Sequence, residues 1–324
     1  MKSFARIVIA AAALFCSFSS FGQSGDFPNR PITIIIPSAP GGVSDGVARF
    51  FGQAFQKAWG HTTVVDFRPG AGGIVGTQYV AKSRPDGYTL LLGNIGPLAV
   101  APSLNSNMPY DPQKDLAPVA LAISFGNVLM VNNNVPAKDI KELIKYAKEN
   151  PKKLNFASAG IGQSQHLSGE MFKLLADVDI THVPYRGTGP ATTDLIAGQV
   201  QMMFGNIPSG KQFIEAGRLR ALGVTGPKRD RALPNVPTIE EAGVPGYNVT
   251  SWLAIVAPAN TPKDVIARLN AEIMKAWATP EGRQFAESIG AEAGRGSAEE
   301  FGQFMLSERE KWRDVITRAN IKPE

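Results

Sequence analysis

The chain is poor in the residues that most site chemistry needs, with one cysteine and three histidines in 324 residues. Cys16 lies in an N-terminal stretch that reads as an export signal. Lys2 and Arg6 form its positive start, Ile7 to Phe15 its apolar core, and Ser20-Phe21-Gly22 a small-x-small cleavage site. That core is too short to span a bilayer comfortably, which disfavours an uncleaved anchor. Phe15 is large where a lipid-modified Cys16 needs a small neighbour, which disfavours a lipid anchor. With residues 1–22 removed, no cysteine is left for a disulfide, a thiol nucleophile or a sulfur-ligated metal. His61, His166 and His182 stand in separate segments without ligand-like spacing, so no metal site is expected. Basic runs are missing too. Loss of Lys2 and Arg6 lowers the formal charge from +5 to +3, and no dense Lys/Arg face marks a nucleic-acid partner. No low-complexity tract or exact repeat interrupts the chain, and its length after cleavage suits two ordinary domains.

What is present is alternation. From residue 32 to about 210, short apolar β-branched runs pass through glycine-rich turns into helix-like segments: Ile32–Pro37 into 45–59, Thr62–Phe67 into 74–83, Thr89–Gly93 into 98–104, Asn155–Ser158 into 166–175, Thr181–Tyr185 into 191–198, and Val200–Gly205 into another helix. Such alternation predicts an α/β protein with parallel sheets and crossover helices, its ligand beyond the carboxyl ends of the strands. Val119–Asn132 reads as one long extended segment and Trp252–Ala257 as a second apolar run, both suited to crossing between two lobes. Amphipathic helices are expected over 140–150, 262–278 and 298–319. The predicted division is a signal at 1–22, a first lobe of 23–125 plus 250–324, and a second lobe of 126–249.

The turns carry the candidate site. A strand that feeds a glycine-rich turn into a helix N-terminus presents several backbone N–H groups to an anion, and needs no catalytic residue to hold it. Ser38, Gly41, Gly42, Ser44 and Asp45 form either such a loop or a plain βα turn in which Ser44 or Asp45 caps the helix. Asp45 repels an anion at short range, so it is the cap or the partner of a positive ligand group. Ala71, Gly72 and Gly73 follow the second strand. Gly70 to Gly76 superficially resembles a dinucleotide fingerprint, but its spacing is off by one. Asn94 opens the turn after the third strand. Ser158, Gly160, Gly162, Ser164 and His166 form the next loop. Ser164 and His166 invite a hydrolase reading, yet no Gly-x-Ser-x-Gly elbow and no orienting third group accompany them. Tyr185 could wall a pocket and Arg186 could pair with a carboxylate. Gly205 to Gln212 nearly matches a phosphate loop, but Gln212 replaces the hydroxyl that would hold magnesium, and within it Asn206 and Ser209 could still line a cleft. No cofactor is expected.

Several motifs occur in a fixed order: Pro37-Ser-Ala-Pro-Gly-Gly-Val-Ser-Asp45, Arg68-Pro-Gly-Ala-Gly-Gly73, Ser158-Ala-Gly-Ile-Gly162 with His166-Leu167, His182-Val-Pro-Tyr-Arg-Gly187, Ala232-Leu-Pro-Asn-Val-Pro-Thr238 and Glu241-Ala-Gly-Val-Pro-Gly246-Tyr247. Together, over essentially the whole chain after the signal, they resemble the Bug family, the solute-binding proteins of tripartite tricarboxylate transporters. The resemblance implies a type II periplasmic binding protein fold, two α/β lobes joined by two crossing strands with a ligand cleft between them. It also implies a small carboxylate held by amides and ordered waters of the loops at 38–45, 68–73 and 158–164, and a membrane permease as partner, the receptor itself acting as a monomer in the periplasm without enzymatic activity. Ser38, Phe67 and Gln163 depart from the family's usual aromatic, asparagine and hydroxyl residues, which leaves the ligand's identity open. A sensory protein reporting to a membrane kinase would need the same cleft, and a secreted α/β hydrolase is the remaining alternative.

Overall fold

The computed structural model describes residues 27–185, 187–318 and 321. The export signal, Cys16 and Arg186 lie outside these residues.

The elements run β1 (Thr33–Ile36), α1 (Val43–Trp59), β2 (Val64–Phe67), α2 (Ile74–Ala81), β3 (Thr89–Asn94), α3 (Ala101–Leu104), β4 (Leu116–Asn132), α4 (Ile140–Glu149), β5 (Asn155–Ser158), α5 (Ser164–Ala176), β6 (Thr181–Pro184), α6 (Thr188–Ala197), β7 (Met202–Asn206), α7 (Ile207–Glu215), β8 (Leu219–Val224), β9 (Thr250–Pro258), α8 (Lys263–Ala278), α9 (Pro280–Ser288), β10 (Glu292–Ala293) and α10 (Ala298–Arg318). A 3-10 turn at Ala71–Gly73 and a π turn at Gly96–Val100 fill the connections before α2 and α3.

The strand order is β2-β1-β3-β9-β4-β7-β5-β6, with β10 and β8 also pairing with β4. Strand β1 explains itself. Its run of isoleucines is β-branched, and both its faces are covered: Ile34 and Ile36 pack with Leu90, Leu92, Phe51 and Phe55 against α1 and α8, while Ile35 and Leu91 join the core on the opposite face. Pro37 then ends the strand. Helix α1 turns Val47, Ala48, Phe51 and Phe55 inward and stops at Gly60, whose φ of 76° favours a residue without Cβ.

The two halves of the sheet share β4. Up to Gly126 it pairs with β9, and beyond that with β7 over Asn127–Val131 and, at the same time, with β8 over Val128–Asn132. The chain returns beside this hand-over: Thr225 N–H donates to Asn127 O at 2.9 Å and Val249 N–H to Thr225 O at 2.8 Å, one residue before β9 begins. Strands β2, β1 and β3 are mutually parallel, as are β6, β5 and β7. The sheet as a whole is nevertheless mixed, where parallel sheets were expected, because β4 and β9 run antiparallel to their neighbours. A chain that leaves one half along β4 and comes back along β9 has to run the two in opposite directions. Helix α9 was not expected either. Its signal is Thr279-Pro280, an N-cap and an N1 proline that also read as a break after α8; Thr279 Oγ1 accepts the Gly282 N–H at 3.0 Å.

Candidate functional site: three glycine loops at the strand ends

The loop after β1 begins at the buried Pro37 and leaves Gly41 and Gly42 exposed, with Ser38, Ser44 and Asp45 half-buried. Helix α1 starts at Val43, so Ser44 and Asp45 sit inside its first turn and Gly42 holds the cap position without a side-chain cap. This corrects the expected capping role. Asp45 instead reaches back, accepting the Gly41 N–H at 3.2 Å and pairing with Arg49 Nε at 2.6 Å. The chain thus places its own carboxylate on one amide of the loop. Gly42, Val43 and Ser44 keep amides with no acceptor among the described residues.

The loop after β2 is tighter. Gly70, Ala71, Gly72 and Gly73 all have positive φ, at 139°, 46°, 62° and 99°. Ala71 pays for its left-handed backbone with a Cβ clash that glycine avoids, on the order of 1 kcal/mol. Gly73 N–H donates to Gly70 O at 2.9 Å, whereas Ala71 and Gly72 have no internal acceptor among the described residues. Glycine at 76 is required by packing: a Cβ there would lie 2.8 Å from Arg68 O and 3.0 Å from Pro37 Cα, so the first and second loops touch. Asn94, half-buried at the end of β3, accepts the Gly96 N–H on Oδ1 at 2.9 Å.

The third loop, between β5 and α5, is held from within. Ser158, Gly162, Ser164 and His166 are buried, and Gly160 is half-buried. Gly160 N–H donates to Ser158 Oγ at 3.1 Å, and Gly162 N–H to His166 Nδ1 at 3.1 Å. Ser158 Oγ also lies 2.6 Å from His182 Nε2. The expectation that the amides of Gly41, Gly73, Gly160 and Gly162 are open to a ligand therefore does not hold; these residues shape the loops. In the third loop the amides of Ile161, Ser164 and Gln165 are among those without an internal acceptor among the described residues.

Loops from both halves of the sheet meet. A Cβ on Gly96 would lie 3.4 Å from Gln163 Nε2 and 3.5 Å from Gly162 O, and one on Gly72 would lie 3.9 Å from Ile161 O. Tyr185 joins the third loop through its backbone, donating its N–H to Ser158 O at 3.0 Å, while its hydroxyl donates to Asp194 at 2.8 Å. Burial and the Asp194 carboxylate both raise the Tyr185 pKa. Asn206 is reached through Gln165, whose side-chain amide donates to Asn206 Oδ1 at 3.0 Å. The near-match to a phosphate loop is no loop at all, since β7 runs directly into α7 at Ile207 and Lys211 pairs with Glu215 at 3.6 Å.

Sequence reasoning missed Asn127, Gln165, Ser168 and His182. Asn127 donates from Nδ2 to Ser168 Oγ at 3.1 Å and accepts from Asn206 Nδ2 at 2.7 Å. Its signal was legible: it is a fully buried polar residue in the apolar run of β4. His182 stacks between Phe156 and His166, with ring centroids 4.8 and 4.2 Å away. Burial above all pushes His166 down to about 3 and His182 to about 4, so both rings are neutral at physiological pH. Ser158 and His182 form a serine–histidine contact, but Ser158 is wholly buried and its oxygen already accepts the Gly160 amide. Among the described residues there is no group of three or more His, Cys, Asp or Glu that could hold a metal ion. Nor is any described helix long and apolar enough to cross a membrane.

The model of the family described as "Tripartite tricarboxylate transporter family receptor" matches residues 47–321. A UPF0065 protein encoded between tcbD and tcbE of Pseudomonas sp. strain P51 is 43% identical over 319 residues, covering 98% of this chain and 95% of its own. Among solved structures, an R. palustris protein with adipate superposes with a TM-score of 0.87 at 36% identity, over 92% of this chain and 100% of that one. The periplasmic binding protein BugD does so with a TM-score of 0.83 at 34% identity, again over 92% and 100% of the two chains. The mixed α/β architecture described above is the fold of these periplasmic binding proteins.

Proposed function

The chain belongs to the tripartite tricarboxylate transporter receptor family, the Bug-type solute-binding proteins, and on that premise we propose that it captures a small carboxylate between two lobes and presents it to a membrane permease. The observation that carries this reading is the meeting of loops from both sheet halves, each with amides lacking an internal acceptor: Gly42 to Ser44, Ala71 and Gly72, and Ile161 with Ser164 and Gln165. Backbone donors at helix N-termini suit a carboxylate, and burial between the loops strengthens each charge-assisted bond. The adipate held by the R. palustris relative is a ligand of that class.

The lobes of this reading are residues 23–125 with 250–324, and 126–249. They join where β4 changes partners between Gly126 and Asn127 and where the chain returns at Val249. Ligand favours the closed arrangement only by its higher affinity for it. The protein acts in the periplasm, exported by residues 1–22, as a monomer without catalytic turnover.

The test is a thermal-shift panel on the exported protein: adipate, malate, citrate, benzoate and glutamate, with maltose as neutral control. A ligand that binds only the native state at about 100 times its Kd stabilises by about 2.7 kcal/mol. At least one acid is expected to raise the Tm. A shift with maltose and none with any acid rejects the carboxylate reading.

A further inference from the structure

The third loop contains a device that the loop-amide reading does not use. Gly160 and Gly162, with φ of 131° and 75°, let the chain turn sharply, and the turn's own backbone closure is one long bond, Gln163 N–H to Gly160 O at 3.3 Å. Two histidines from different elements brace it further. His166, in the first turn of α5, accepts the Gly162 N–H on Nδ1 at 3.1 Å. An N–H has only a proton to give, so Nδ1 is unprotonated and the ring proton sits on Nε2, which lies 4.0 Å from Glu170 Oε1. His182, on β6, holds the Ser158 hydroxyl at 2.6 Å, and that hydroxyl in turn accepts the Gly160 amide at 3.1 Å. The two rings stack at 4.2 Å with an interplanar angle of 25°. The Gly162 amide is thus tied to one ring directly and the Gly160 amide to the other through the Ser158 hydroxyl, and the Ile161 amide between them has no internal acceptor among the described residues.

We propose that the stacked His166–His182 pair is the positioning device of the ligand loop: its ring nitrogens, one on the Gly162 amide and one on the Ser158 hydroxyl, hold residues 158–162 in the conformation that offers the Ile161 amide to the carboxylate. The inference rests on the carboxylate reading for its consequence but not for its geometry. The charged groups facing the pair are Glu170, against His166, and Lys173, which donates to both Glu170 oxygens at 3.0 and 2.9 Å. Lys173 disfavours a positive charge on either ring. Neutral rings are what the device requires, since a proton on His166 Nδ1 would face the Gly162 N–H as donor against donor.

The experiment compares His166→Leu, which removes the acceptor, with His166→Asn, whose Oδ1 falls near the position of Nδ1, using the full exported chain. A parallel pair is His182→Leu and His182→Gln. Amide hydrogen exchange is read residue by residue in ligand-free protein, and adipate affinity by calorimetry. In the wild type, long-range proton–nitrogen spectra are expected to show His166 as the Nε2–H tautomer. The leucine variants are expected to speed exchange at Gly162 or Gly160 and to weaken adipate, each about tenfold, the asparagine and glutamine variants less than threefold. Equal exchange in leucine and rescue variants, with the rest of the protein still protected, overturns the proposal; so does the Nδ1–H tautomer at His166. If the wild type binds no panel acid while exchange follows the expected pattern, the carboxylate reading fails and the positioning role stands.

Discussion

Asn206 donates its side-chain amide to Asn127 Oδ1 at 2.7 Å, tying the last residue of β7 to the first residue of β4 beyond the change of partners. Asn127 is fully buried, and its backbone N–H is taken by Thr225 Oγ1 at 2.8 Å, which itself donates to Val249 O at 2.7 Å. Both crossings between the sheet halves are therefore pinned by one polar network.

Replacing Asn127 by leucine leaves Asn206 Nδ2 without its acceptor and Ser168 Oγ without its donor. Ser168 Oγ keeps its bond to Ser164 O at 2.8 Å and Asn206 is half-buried, so the cost falls toward the lower end of about 1–3 kcal/mol for each unsatisfied group. The expected loss is about 2 kcal/mol, read by urea unfolding.

Acid destabilises the folded chain through the histidine stack. His166 and His182 are held down at about 3 and about 4, chiefly by burial, against about 6.5 in an unfolded chain. Between those values the unfolded state binds protons that the folded state does not, so stability rises with pH through the window. It is fully present above about pH 6.5 and is lost progressively as pH falls toward 4 and then 3. Each ring contributes a slope of about 1.4 kcal/mol per pH unit where the difference is complete. Urea midpoints from pH 4.5 to 7 are expected to show this slope in the wild type and a shallower one in the His166→Asn, His182→Gln double variant.

Glu308 accepts two indole N–H groups, from Trp252 at 3.0 Å and Trp312 at 3.1 Å, with Lys311 at 3.3 Å on its other oxygen. It fastens α10 to β9. Glu308→Leu strands both indoles in the core, with an expected loss of about 3 kcal/mol. Glu308→Gln keeps a carbonyl acceptor between them and is expected to cost about half as much. Denaturation followed by tryptophan fluorescence distinguishes the two.

At Gly96 loops of the two halves come close together. A Cβ there would lie 3.1 Å from Asn94 Oδ1 as well as against Gln163 and Gly162. Gly96→Ala is expected to change adipate affinity little, because side-chain ends can give by a few tenths of an ångström. Gly96→Val cannot be absorbed in this way and is expected to weaken adipate by tenfold or more, with a smaller change in Tm. Calorimetry and thermal unfolding of the two variants check this.

The strand–loop–helix units were legible in the sequence because their causes are local. A β-branched run such as Ile32–Ile36 needs burial on both sides, Pro37 cannot extend it, and a glycine such as Gly70 or Gly72 marks a backbone that other residues resist. The placing of the candidate loops at the strand ends followed from the same units. Which amides those loops keep free was not legible, because it depends on partners distant in the chain or pointing back into it. Ser158 meets His182 from 24 residues away, and Asp45 folds back on Gly41. Asn127 and Asn206 are 79 residues apart. A hydrogen bond needs its partner within about 3 Å, a distance that sequence spacing does not encode. The sequence by itself determined a run of glycine loops at strand ends; only the packed structure decided which donors in them are already satisfied.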